Sequence, residues 1–246
     1  MTISIIAILL AVSIPAAKEL SRSLEQSVGA GSMIDAALAN ARAIAIREQK
    51  YAGVRFQRDA QGNSYLIFII HDPAATGFAN GFRAVENKKP MPLPEAVGVI
   101  SCRVQKYYND DKTTDVDLYV EGKNNPATAD SLLNSDVRMN DASTFSIVFN
   151  ASGKFVYHEV RARSSGTYDK IFNTALEAAA GRAVFLQDES ETMAQNGFQE
   201  ETSVGSFIVY DRKELLKTAA TNRWSGLFSK LMIDSINAYT GELIKK

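Results

Sequence analysis

The first seventeen residues are apolar almost throughout, and the pattern then becomes one-sided. The run from Ile3 to Ala17 is shorter than the roughly 20 residues that span a bilayer. After it, Leu20, Leu24 and Val28 recur every four positions with charged residues between them, as in an amphipathic helix. A second apolar stripe comprises Ile34, Ala37, Leu38, Ala41, Ile44 and Ala45. The pattern predicts one helix of up to about 48 residues, or about 70 Å.

Three features should modify this helix. Pro15 removes a backbone hydrogen bond and crowds the carbonyl group of Ala11, which predicts a kink. Gly29 and Gly31 should weaken the helix, by about 1 kcal/mol each relative to alanine. Ser32, followed three residues later by Asp35, resembles a capping box and predicts that the helix restarts or is reinforced there.

Beyond residue 50 the pattern is typical of β-strands separated by polar turns. The predicted strands are 51–57, 64–70, 97–107, 115–120, 145–149, 154–160, 206–210 and one that ends near residue 244. Residues 66–70 are apolar without a break, which predicts a central strand. Glycine-bearing turns are expected at 59–63, at 150–153 and at Thr240–Gly241.

The remaining segments are predicted as loops and short helices. Residues 72–94 are rich in Gly, Pro and Asn and should form a long surface loop, and 122–141 a loop with one helical turn. Asp211, with Glu214 at the third helical position, should cap a helix that reaches about residue 220, and 167–181 should form another helix. The predicted fold is therefore α+β, with a stem helix over 1–50 packed on one antiparallel head over 51–246.

Composition argues against two features, which are nucleic-acid binding through net charge and an internal disulfide. The 27 basic and 28 acidic residues balance, which argues against binding nucleic acid through net charge. The single cysteine, Cys102, excludes an internal disulfide and lies in an apolar run that predicts a buried strand residue.

The chain shows no motif of a catalytic or cofactor site. Its two histidines are His71, at a predicted strand end, and His158, inside a predicted strand, and no nucleophile elbow accompanies them. No strand precedes the two glycines at 29 and 31, which rules out a phosphate loop. The acidic stretch 109–117 lacks the glycine and the final glutamate of a calcium loop and is interpreted as a solvated turn. We therefore predict a protein without catalytic activity, cofactor, metal or small-molecule substrate.

The late proline in Ile5-Ile-Ala-Ile-Leu-Leu-Ala-Val-Ser-Ile-Pro15-Ala resembles the N-terminal helix of the type IV pilin and pseudopilin superfamily. Residues 37–49 resemble the end of the stem helix in the pseudopilin H family of type II secretion, a family of minor pseudopilins. Residues 92–97 and 145–155 resemble strand and hairpin segments of the same family. The resemblance covers about the first 160 residues.

The resemblance implies a non-catalytic, pilin-like structural subunit of a type II secretion or type IV pilus-like machine. Such a subunit crosses the bacterial inner membrane once, keeps its head in the periplasm, and enters a filament through its hydrophobic helix. Its partners would be other pilin or pseudopilin subunits, the inner membrane and the assembly platform. The membrane and filament-packing residues would be Ile3, Ile5, Ile6, Ile8, Leu9, Leu10, Val12, Ile14 and Pro15.

The chain departs from the family pattern at its start. The family has a glycine before the prepilin peptidase cleavage site and then Phe-Thr-Leu-x-Glu, and neither precedes the apolar run here. Alignment on Pro15 leaves about seven residues missing, and restoring them would bring the run to membrane-spanning length. We therefore expect the cleavage site to be encoded upstream of Met1.

Two alternatives remain open. A DNA-binding minor pilin would use Arg42 and Arg47 on the helix, with Lys50, Arg55 and Arg58 after it. The second alternative is an unrelated membrane-anchored exported domain. If that domain is an enzyme, it needs a cleft that gathers His71 or His158 with a serine and a carboxylate.

Overall fold

A computed structural model describes residues 29–58, 62–76, 79–105, 115–117, 126–135, 139, 142–163 and 198–245. This part of the chain is mixed α+β, and all its paired strands are antiparallel. The predictions for residues 1–28, including the kink at Pro15, and for the helix at 167–181 lie outside the described residues.

The helices of the described part are α1 (residues 29–48), α2 (Pro73–Thr76), α3 (Pro126–Leu132), α4 (Arg212–Lys217) and α5 (Arg223–Gly226), with 3₁₀ turns at Ala220–Asn222 and Phe228–Lys230. The first seven strands are β1 (Ala52–Arg58), β2 (Ser64–His71), β3 (Phe82–Ala84), β4 (Met91–Pro92), β5 (Val97–Ser101), β6 (Arg103–Gln105) and β7 (Asp115–Asp117). The others are β8 (Phe145–Phe149), β9 (Phe155–Val156), β10 (Glu159–Arg163), β11 (Phe198–Thr202), β12 (Ser206–Asp211), β13 (Asp234–Ile236) and β14 (Leu243–Lys245).

Two sheets organise the described residues. The larger has six strands in the order β3-β2-β1-β8-β9, with β4 also paired to β2. The second has four strands in the order β14-β13-β12-β5. Two further ribbons pair β10 with β11 and β6 with β7.

Helix α1 packs on the larger sheet through the stripe that the sequence predicts. Its buried residues Ala30, Ile34, Ala37, Leu38, Ala41, Ile44 and Ala45 belong to one apolar cluster with residues of β1, β2 and β8. Residues 29–48 form one continuous helix with Ser32 inside it, so of the two outcomes predicted at Ser32, a restart or a reinforcement of the helix, the restart is wrong. The helix tolerates both glycines because packing against the sheet outweighs their low intrinsic propensity.

The larger sheet is buried on both faces, which explains the unbroken apolar run of β2. Leu66, Phe68 and Ile70 contact the cluster beneath α1. Ile67 and Ile69, which point the other way, join a separate cluster with residues of β3, β8 and β10. Strand β2 pairs with β1 on one side and with β3 and β4 on the other, so the predicted central strand is confirmed.

The predicted loop at 72–94 is wrong for part of its length. It contains α2, β3 and β4, and it buries Phe82, Ala84 and Leu93. Both short strands add to β2, which was free to accept them on that side. Turn-forming residues dominate the composition of this segment, and the few apolar residues that decide its packing are too sparse to show a period.

Three other boundaries differ from the sequence prediction. The strand predicted at 97–107 divides at Cys102, which is buried at the bend between β5 and β6. His158 lies in the connection between β9 and β10, not inside a strand. Helix α4 ends at Lys217, earlier than expected, although the predicted cap is confirmed because Asp211 accepts a hydrogen bond from the backbone N–H of Lys213.

The predicted hairpins at 150–153 and 240–241 are confirmed. Strands β8 and β9 pair across the turn that contains Gly153, which has φ +75°. Strands β13 and β14 pair across the turn that contains Gly241, with φ +70°. Both glycines adopt the left-handed region, which other residues reach only with strain.

A second apolar cluster packs α3 and α5 against the second sheet. It contains Trp224, the only tryptophan of the chain, with an exposed fraction of 1%. A carboxylate oxygen of Asp130 accepts hydrogen bonds from the backbone N–H groups of Trp224 and Ser225, at 2.7 and 3.1 Å. Asp130, in α3, therefore caps α5 across 94 residues of sequence.

Tyr210, in this cluster, should make the stability of the head fall at high pH. Burial raises the pKa of the Tyr210 hydroxyl, against the opposing charges of Arg58, Arg212 and Arg223. Neutral Tyr210 therefore contributes stability that is complete below its unfolded pKa of about 10 and is lost as pH rises through its higher folded pKa. We expect wild type to lose more stability than Tyr210→Phe above about pH 10. Urea unfolding from pH 8 to 11, followed by Trp224 fluorescence, measures this difference, and parallel pH profiles would contradict it.

Candidate functional site

The proposed membrane and filament-packing residues cannot be positioned. Ile3, Ile5, Ile6, Ile8, Leu9, Leu10, Val12, Ile14 and Pro15 all lie outside the described residues. Among the described residues, no helix combines the length and the apolar character that a membrane span requires.

The exposed side of α1 forms one wall of a surface groove of about 790 Å³. Ala36, Ala39, Ala43 and Ile46 follow one another at spacings of three and four, so they share a helix face. This face is distinct from the buried stripe, and the three alanines on it are exposed. The opposite wall is the turn between β13 and β14 together with Leu243.

Contacts with α1 and with β8 hold the turn in place beside the groove. A guanidinium nitrogen of Arg42 donates a hydrogen bond to the carbonyl oxygen of Thr240, at 2.6 Å. A Cβ atom at Gly241 would lie only 2.8 Å from the ring of Phe149 and 3.5 Å from the side chain of Arg42. Glycine is therefore favoured at 241 both by its positive φ and by the close approach of the turn to Phe149 of β8.

The groove is lined by both apolar and charged side chains. Small alanine side chains leave the backbone of α1 accessible to a large partner, as at interfaces where helices approach closely. Asp35, Arg42 and Glu242 line the same groove and carry charges of both signs. This arrangement suits a protein surface that pairs apolar contact with a few ion pairs, and it suits a small polar ligand poorly.

The structure brings the two histidines of the chain together. The ring centres of His71 and His158 are 5.7 Å apart. The rings of Tyr51 and Phe82 each lie within 6 Å of both imidazoles. Beside them, Tyr51 and His71 line a pocket of about 450 Å³ with Gln49, Lys50 and the turn at 150–152.

The carboxylates that follow the histidines in sequence are engaged elsewhere. Asp72 accepts hydrogen bonds from Arg83, at 2.6 Å, and from the backbone N–H of Ala75. Partial burial by itself would raise the pKa of Asp72, but these hydrogen bonds and the charges of Arg83 and Lys50 together lower it. Asp72 is thus an ionised structural partner of Arg83.

Glu159 and Ser203 are also used structurally. A carboxylate oxygen of Glu159 accepts a hydrogen bond from Asn80, at 2.7 Å. The Ser203 hydroxyl donates to the carbonyl oxygen of Val156 and accepts from the backbone N–H of His158. Within the described ranges, the hydrogen bonds of these histidines therefore include no serine–imidazole–carboxylate relay.

The arginines of the nucleic-acid hypothesis do not form one exposed surface. Arg55 is fully buried in β1, where it donates a hydrogen bond to Ser146. Arg47 forms an exposed ion pair with Glu48 at 2.8 Å, and Arg42 bonds to Thr240 in the groove. Binding to DNA through Arg55 would require the sheet to open.

The acidic stretch 109–117 is described only at 115–117, which form β7. The interpretation of residues 109–114 as a solvated turn therefore lies outside the described residues. In the part of the chain that the structure describes, no three or more His, Cys, Asp or Glu side chains gather as a metal site.

The groove beside α1 and the cluster around His71 and His158 are thus the two candidate sites considered among the described residues. Sequence reasoning predicted helix α1 and its buried stripe but did not identify the groove, because nothing in the local pattern ties Gly241 to α1. The sequence analysis did not predict that the two histidines are neighbours. The one available signal was that each lies at or next to a strand end, where segments distant in sequence often meet. Comparison with protein-family models, with curated proteins and with solved structures finds no match for this chain.

Proposed function

We propose that this chain is a non-catalytic, pilin-like structural subunit of a type II secretion or type IV pilus-like machine, closest to the minor pseudopilins. The observation that carries the proposal is the two-faced character of α1. One face is buried on an antiparallel sheet, and the other presents Ala36, Ala39 and Ala43 in an open groove. A helix with these two faces can belong to its own head and also receive a neighbouring subunit.

The proposed mechanism follows from the order of the segments. The apolar run at 3–17 precedes α1 in sequence, so a helix continued toward the N-terminus would lead from the head to a lipid-compatible tip. Before assembly, the tip lies in the inner membrane and the head lies in the periplasm. Because lipid gives no hydrophobic drive between helices, assembly relies on close packing at small residues, and Ala7, Ala11 and Ser13 supply them in the tip. The groove would then continue the same contact along the head.

The proposal is tested by crosslinking from the edge of the groove in the cell that makes the protein. Glu242→Cys, in a Cys102→Ser background, carries a thiol-reactive photo-crosslinker at an exposed groove residue. We expect a crosslink to another membrane-anchored subunit. Leu216→Cys, at a position that is 86% exposed and outside the groove, is the matched control and should crosslink much less.

The same experiment includes Ile8→Asp, which places a carboxylate in the apolar run. A central charge costs a membrane helix roughly 2.5–3.5 kcal/mol on insertion scales, so membrane retention and the crosslink should both be lost. A chain with Ile8→Asp that stays in the membrane fraction and still crosslinks from position 242 would contradict the proposed function.

A further inference from the structure

Four different segments of the chain meet around the two histidines, and each segment contributes one ring. His71 ends β2, and His158 lies between β9 and β10. Tyr51 precedes β1, and Phe82 begins β3. The Tyr51 ring centre is 4.2 Å from that of His158 and 5.8 Å from that of His71. The Phe82 ring centre is 5.6 Å from that of His158 and 5.2 Å from that of His71. These aromatic contacts restrict the rotation of both imidazoles.

Hydrogen bonds to backbone carbonyl groups assign the proton on each ring. Nε2 of His71 lies 2.6 Å from the carbonyl oxygen of Ala79, and Nδ1 of His158 lies 2.5 Å from that of Glu159. A carbonyl oxygen only accepts, so each of these nitrogens carries the proton and donates it. In the neutral ring the other nitrogen, Nδ1 of His71 and Nε2 of His158, then holds a lone pair.

This is the arrangement of metal-binding histidines, whose second N–H is usually donated to a carbonyl or carboxylate oxygen. The described residues give neither lone-pair nitrogen a hydrogen-bond partner. Two imidazoles that share a tetrahedral zinc ion have ring centres about 5 Å apart, since each metal–nitrogen bond is about 2.0–2.1 Å. The observed separation of 5.7 Å is within a small side-chain adjustment of this value.

The surroundings allow an ion to enter and do not oppose its charge. The adjacent pocket exposes His71 to solvent. Asp72 and Glu159 follow the two histidines in sequence, while Lys50 lines the pocket and Arg83 pairs with Asp72. Asp72 and Arg83 neutralise each other in an ion pair at 2.6 Å, so this pair adds no net charge beside the imidazoles.

We propose that His71 and His158 bind one divalent late transition-metal ion, of the Zn²⁺, Ni²⁺ or Cu²⁺ class, through Nδ1 and Nε2 respectively. Water fills the remaining coordination positions. Imidazole ligands favour these ions, and hard ions such as Mg²⁺ are excluded. The bound ion joins the end of β2 to the β9–β10 connection and thereby stabilises the head without taking part in a reaction.

Metal titration of the tag-free full chain tests the proposal. CuSO₄, NiSO₄ and ZnSO₄ are added in separate calorimetric titrations, with MgSO₄ as a hard-ion control. We expect saturable binding of one ion per chain, tightest for Cu²⁺, and no saturable binding of Mg²⁺. His71→Gln and His158→Gln should each weaken binding roughly tenfold or more. Cys102→Ser, which removes the only thiol, should leave it unchanged.

Electron paramagnetic resonance of the Cu²⁺ complex gives a readout that does not depend on the variants. Splitting from two imidazole nitrogens supports the proposal, and splitting from one or none overturns it. The proposal is equally overturned if wild type shows no saturable binding, or if both histidine variants, with apo melting temperatures equal to wild type, bind as tightly as wild type.

Discussion

Replacing Ala39 by glutamate is expected to abolish assembly of the subunit while leaving its head folded. Ala39 is exposed and lines the groove, three residues after Ala36 and four before Ala43. Glutamate is a good helix former, so α1 should persist. A partner helix seated in the groove would, however, remove the new carboxylate from water, while Arg42, the cation that lines the groove, already bonds to Thr240, so burial should cost several kcal/mol. Since each 1.4 kcal/mol is tenfold in an equilibrium constant, incorporation should fall by at least about tenfold.

Asn40→Glu is the matched control for this experiment. Asn40 is the next residue of α1, is also exposed, and does not line the groove. Both variants are expressed at equal levels, and the fraction in crosslinked or filament-associated form is quantified. Equal incorporation of the two variants would count against the groove as the assembly surface.

Phe56→Ala should destabilise the head by about 3–5 kcal/mol, the usual cost of truncating a buried aromatic residue. The Phe56 side chain is fully buried. Its ring stacks on Phe145, with centres 4.5 Å apart, and lies 5.5 Å from Phe207 of the second sheet. Because Phe56 connects both sheets within the cluster under α1, the loss should affect the whole head.

Urea unfolding of the full chain in mild detergent measures this effect. Circular dichroism follows the whole fold, and fluorescence of Trp224 follows the second cluster. Leu216→Ala, at a position that is 86% exposed, should change the unfolding free energy by less than about 0.5 kcal/mol. A Phe56→Ala effect no larger than that of Leu216→Ala would show that the cluster does not hold the sheets together.

Local pattern was sufficient wherever it repeated over many residues. The stripe through Ile34, Leu38, Ala41 and Ala45 predicted the buried face of α1 because a period of 3.6 is set by helix geometry alone. The hairpin at Gly153 and the cap at Asp211 were also predictable, since each depends on one residue type whose conformation or hydrogen bonding is local.

Local pattern did not predict the structure where it depends on pairing between strands that are distant in sequence. The segment 72–94 forms strands only because β2 offers an unpaired edge. The continuous run at 97–107 divides at Cys102 because β5 pairs with β12, more than 100 residues away, while β6 pairs with β7. Neither pairing leaves a period in the sequence of the segment itself.

The order of residues alone was enough to predict the α+β class of the described residues, the buried stripe of α1 and the apolar character of the run at 3–17. These depend on periodicity and composition, which are properties of neighbouring residues. The groove between α1 and the β13–β14 turn, and the contact between His71 and His158, could be recognised only in the folded protein. Those juxtapositions depend on which strands pair and in which register, and side chains 87 residues apart carry no local sign that they will meet.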